Sequence, residues 1–150
     1  VNRHSEAGSL GDARVTVETR GGVVLARADG ALRRSDLERL TAAIDEQIAA
    51  RERFIVLADA LAVTGVDAAA RQFVGEHRKR HLGTVEKYDL GLVLALHSPI
   101  VRGAITAISW FSGRFANLRI VESRSELVRV ARQVLTDASV ALSPEHPAGD

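Results

Sequence analysis

His77 and His81 stand four residues apart in the run Glu76-His77-Arg78-Lys79-Arg80-His81. On a helix that spacing turns two imidazoles to one face, as in the histidine pairs of zinc enzymes. Three cations surround the pair, however, and the glutamate precedes the first histidine instead of following it. The run therefore reads as a solvated basic helix end, its charges suited to the negative pole of the helix dipole. No metal is expected. With Arg71 earlier on the helix these cations could also touch phosphates, but aromatics are not interleaved with them and the net charge is only +1. Nucleic acid is not expected as a partner.

His97-Ser98 could display a catalytic pair at the end of a strand. Adjacent residues on an extended chain point to opposite faces, so His97 cannot readily activate Ser98, which reads instead as a helix cap ahead of Pro99. Asp59, at the expected end of a strand, lacks the acidic pair and the lysine that a phospho-accepting receiver site needs. An enzyme would require Asp59, Thr64, Asp67 and His97 to converge. The chain has no cysteine, which excludes thiolate nucleophiles, disulfides and sulfur-ligated metals. Nor does it carry a glycine-rich phosphate loop. No cofactor is expected.

The elements that must position these residues are legible as patterns. Val15 to Arg20 alternates apolar and polar residues, Val23 to Ala28 is a second β-branched run, and Gly21-Gly22 between them predicts a hairpin. Ser35-Asp36-Leu37-Glu38 has the form of a capping box, opening a helix with Leu37, Leu40, Ile44 and Ile48 inward and Asp45 toward water. Phe54 to Ala58 is a buried strand, Thr64-Gly65-Val66 a turn, and Asp67 the start of a helix running to about His81, with Gly83 as its stop. Leu90 to Leu96 is a central strand, Ile100 to Phe111 a helix, and Asn117 to Val121 a short strand. Ser123 to Glu126 is a second capping box, opening a helix with Leu127, Val130, Ala131 and Val134 inward. The order ββαβαβαβα predicts an α/β fold with a mixed, mostly parallel five-stranded sheet.

At 150 residues, with 46% hydrophobic and 26% charged residues, the chain suits one soluble domain, expected over residues 15–136. Flexible segments are expected at 1–14 and 137–150. The stretch from Val1 to Arg14 is polar and mixed in charge, so neither a secretory signal nor a membrane span is expected. The expected location is cytoplasmic.

Val101-Arg102-Gly103-Ala104-Ile105-Thr106-Ala107-Ile108-Ser109-Trp110, followed by Arg119-Ile120-Val121 and the helix from Ser125 to Leu135, resembles small bacterial STAS/SEC14-like domains. These are SpoIIAA-like proteins of uncharacterised function, and the resemblance extends by element order over roughly residues 15–135. It implies the SpoIIAA-like (STAS) fold. In the anti-sigma factor antagonists of this group the turn after the strand carries an Asp-Ser-Ser/Thr-Gly-type motif whose hydroxyl is phosphorylated by a partner kinase. The matching stretch here is Asp67-Ala68-Ala69-Ala70. Alanine has no oxygen to modify, and Thr64 is the nearest alternative acceptor.

The segment from Ile100 to Phe111 is apolar nearly all round, which fits core packing, a self-association or partner surface, or the wall of an apolar pocket. The expected function is a non-catalytic STAS-like regulatory or scaffolding module acting by association with a protein partner or with itself. Val101, Ile105, Ile108, Trp110 and Phe111 with Thr64 and Asp67 form its expected surface. The alternative is a SEC14-like carrier of an apolar small molecule or lipid.

Overall fold

The computed structural model describes residues 15–112 and 118–142. The expected flexible segment 1–14 lies outside them, as does Asn117. Strands β1 (Val15–Arg20), β2 (Val23–Leu32), β3 (Phe54–Val66), β4 (Asp89–Ala95) and β5 (Leu118–Val121) form one sheet. It is interleaved with helices α1 (Arg34–Ala49), α2 (Ala68–Tyr88), α3 (Pro99–Ser112) and α4 (Arg124–Leu142). The strands lie side by side in chain order, β1 antiparallel to β2 and every later pair parallel. The predicted fold class and element order are those observed.

The hairpin forms because Gly21 (φ 51°) and Gly22 (φ 83°) both take the left-handed backbone that a two-residue turn of this twist requires. Gly22 is constrained twice, since a Cβ there would meet the Arg53 carbonyl at 3.0 Å. Its own carbonyl accepts the Ile55 amide at 2.8 Å, tying the hairpin to the first residues of β3.

Phe54, Ile55, Val56 and Leu57 are all buried, although their side chains point alternately to opposite faces. Phe54 and Val56 pack with Val24 and are flanked by Leu40, Ile44 and Ile48 of α1. Ala60 and Val63 pack with Ala70 of α2 and Val101 of α3 on the same face. Ile55 and Leu57 meet Leu127 and Ala131 of α4 on the other. One helix about 10–12 Å across cannot cover five strands that span about 19 Å. The β1–β2 end of the α4 face is accordingly bare, with Thr16, Glu18, Arg20 and Arg27 exposed beside Leu25, itself 43% exposed.

Several expected boundaries move. Helix α1 starts at Arg34, and its reciprocal cap is made by Asp36, whose carboxylate accepts the Arg33 amide at 2.7 Å; Ser35 is already inside the helix. Thr64-Gly65-Val66 is strand and not turn, because β2 continues far enough to pair with β3 up to Leu32↔Val66. Gly83 lies inside α2, which runs on to Tyr88. Helix α4 likewise extends past Asp137 to Leu142.

Helix α2 passes into β4 with no intervening loop. Asp89 accepts the Gly91 amide at 2.8 Å. Gly91 has φ 148° and sits where the β3–β4 register slips, Phe54 facing Asp89 and Ile55 facing Gly91. Burial pushes the Asp89 carboxyl above the ordinary carboxylate value, and the Gly91 amide and the Arg78 guanidinium only partly oppose it.

Gly22→Ala should lower stability by about 1–3 kcal/mol, seen as a lower urea midpoint at unchanged slope. Folded Asp89 holds its proton to higher pH than unfolded Asp89, so its contribution favours folding at acid pH and is lost as pH rises through the raised value. Asp89→Asn should therefore gain stability relative to the wild type between about pH 3 and about pH 7 in urea denaturation. A difference that stays constant across that range would contradict the desolvation.

Candidate functional site

Strands β2 to β5 run the same way, so α2, α3 and α4 all begin at one end of the sheet, where open α/β sheets usually place their sites. Asp67 caps α2: its carboxylate accepts the Ala70 amide at 2.7 Å and its carbonyl the Arg71 amide at 3.0 Å. Asp67, Ala68, Ala69 and Thr64 are exposed, while Ala70 is fully buried. The first turn of α2 thus shows methyl groups to solvent, and its inner amide is already bonded to a carboxylate.

At the start of α3, Ser98 caps as expected, accepting the Val101 amide at 3.4 Å through its hydroxyl and the Arg102 amide at 3.1 Å through its carbonyl. Val101 and Ile108 point inward, 4% and 7% exposed, and Ile105 packs beside Val101 against the core that also holds Val63 and Ala70. Among the described side chains of α3, the large apolar one turned outward is Ile100, 70% exposed. The side chains of Trp110 and Phe111 lie outside the described residues.

Two of the polar residues that an enzyme would need, Asp59 and Asp67, are drawn to opposite faces of the sheet. Asp59 lies mid-strand and not at a strand end, and its carboxylate faces α4, where it pairs with Arg124 Nε at 2.6 Å. Asp67 is committed to α2, which packs on the opposite face of the sheet. His97 is exposed.

The histidine pair also departs from expectation. Its run is not a solvated helix end: His77 is only 5% exposed, and its Nε2 lies 2.7 Å from Asp45 Oδ1 of α1. His81 Nε2 is 3.2 Å from the same oxygen. Charge spacing within α1 predicts a solvent-facing Asp45 and gives no sign of this partner, although a histidine on the apolar face with Phe73 and Val74 signals the need for one. Arg34 over the Phe73 ring, 5.0 Å from its centroid, makes a second contact between α1 and α2. An open groove of about 440 Å³ separates β1 from α1, with Thr16, Arg39 and Glu46 in its walls.

No family model matches the sequence, and neither does any curated protein. Solved structures do match. The anti-sigma factor antagonist SpoIIAA in its unphosphorylated form superposes with a TM-score of 0.55, covering 79% of this chain and 97% of its own at 17% identity. The chain has the SpoIIAA-like fold. An uncharacterised DUF3478-family protein with a SpoIIAA-like fold, from Shewanella loihica PV-4, superposes at 0.53 with 15% identity over 77% of this chain and 90% of that one. In this SpoIIAA-like chain, no described helix is long and apolar enough to cross a membrane.

Losing Arg124 would strand a carboxylate whose side chain is 11% exposed, whereas Arg20 pairs with Glu18 on the open surface. Arg124→Ala should cost about 1–2 kcal/mol, moderated because Arg124 itself is 60% exposed. Arg20→Ala should change stability by less than about 0.5 kcal/mol. Equal denaturation midpoints for the two variants would refute the difference.

Proposed function

We propose that this SpoIIAA-like chain is a non-catalytic regulatory or scaffolding module that works by associating with a protein partner or with a second copy of itself. The association uses the end of the sheet where β3 enters α2 and β4 enters α3. One observation carries the reading: α2 opens on Asp67, Ala68 and Ala69, with the carboxylate turned back onto the helix and the methyl groups of the two alanines outward, while Ala70 behind them is buried. SpoIIAA is an anti-sigma factor antagonist with a form described as unphosphorylated. The present turn offers no hydroxyl for that chemistry, so association here is constitutive.

Exposed Ile100 at the start of α3 supplies the apolar contact of the proposed surface, with exposed Thr64 and Asp67 at the same end of the sheet as its polar rim. Trp110 and Phe111 are the aromatic anchors of the proposed surface, each worth about 2 kcal/mol or more when truncated. Val101 and Ile108 support that surface from beneath, through the core.

Sedimentation equilibrium of the purified protein, combined with capture from its native cells and phosphosite mapping, tests the reading. Association should weaken at least about tenfold in Ile100→Glu and Trp110→Ala, with no phosphate found on residues 64–70. A strict monomer that captures nothing would overturn the proposal. So would binding controlled by phosphate on Thr64.

A further inference from the structure

The Asp45, His77 and His81 cluster is not used by the proposed association. It lies well along α2 from the turn at Asp67: His77 is ten residues on, or about 15 Å at the helical rise. Both imidazoles present the same nitrogen, Nε2, to the same carboxylate oxygen, at 2.7 and 3.2 Å. All three donor atoms fall within 4.8 Å of one another. The rings are 4.7 Å apart between centroids and tilted by 53°.

We propose that Asp45, His77 and His81 form a binding site for one divalent transition-metal ion, with zinc as its first candidate, clamping α1 to α2. The donor set is two imidazoles and a carboxylate, a combination suited to zinc and its neighbours. Tetrahedral zinc with bonds of about 2.0–2.1 Å separates its donors by about 3.3 Å, close to the His81–Asp45 distance. The remaining donor separations, all within 4.8 Å, are within reach of that geometry because the two histidines share one helix face. His77 is held in the seam between the helices, while the Asp45 side chain is 49% exposed and that of His81 28% exposed. That open side leaves room for water as a fourth ligand.

The intervening cations do not close the site. Arg78 is partly buried, and its charge is attracted by the carboxylate of Asp89 at the start of β4. Arg80 is exposed, where water screens it. Lys79 is exposed as well.

Zinc binding to the full chain, produced without a histidine tag, can be measured by competition with a chromophoric chelator. One equivalent should bind, and His81→Ala and Asp45→Ala should each weaken binding by at least about tenfold. Both are partly exposed positions, and circular dichroism checks that the variants fold. Independently, zinc should shift the imidazole nitrogen signals of both His77 and His81 in the wild-type NMR spectrum. Absence of stoichiometric binding, affinity unchanged in both folded variants, or unshifted His77 and His81 signals would each overturn the site. None of these outcomes bears on association through Ile100.

Discussion

Two-sided burial of Phe54 to Leu57 in β3 is the constraint on which the rest of the structure depends. A strand with no face left for water needs helices above and below. Three crossovers that all step the same way along the sheet place α1, α2 and α3 on one face, because parallel crossovers keep one hand. The opposite layer must come from an element that links no further strand, and α4 is that element. The ion pair between Arg124, its first residue, and Asp59 of β3 fixes where that last helix lands.

This division also sorts the polar groups. Carboxylates that might have gathered at one end of the sheet are drawn to different layers, Asp59 toward α4 and Asp67 into the cap of α2. The seam between α1 and α2 does the reverse, bringing Asp45 to His77 across 32 positions of chain.

Much of this was legible because local chemistry and tertiary demand agree. Gly21-Gly22, the continuous apolar run from Leu90 to Leu96, Ser98-Pro99 and the inward stripe of Leu127 and Ala131 each specify one local structure, and each is found. The misplacements occur where a partner overrides a local signal. Thr64-Gly65 has turn chemistry, yet β2 offers a ladder of backbone partners that keeps it extended. Gly83 could end a helix but does not. Ser35 could cap α1, but Asp36 bonds back to Arg33 and moves the start of the helix two residues earlier. Asp45 carries no local signal at all, since its role exists only once two helices meet. Charge spacing within α1 alone gives it to the solvent.

The direct passage from Tyr88 to Asp89 gives the chain a stiff joint in the middle of its core. Elsewhere a connection can lengthen or shorten and be absorbed at the surface. Here one added residue would turn Leu92, Leu94 and Leu96 from the three-helix layer to the α4 layer and send Val93 and Ala95 the other way. Over evolutionary time this joint should tolerate substitution far better than insertion or deletion, so changes of length in related chains belong in other connections.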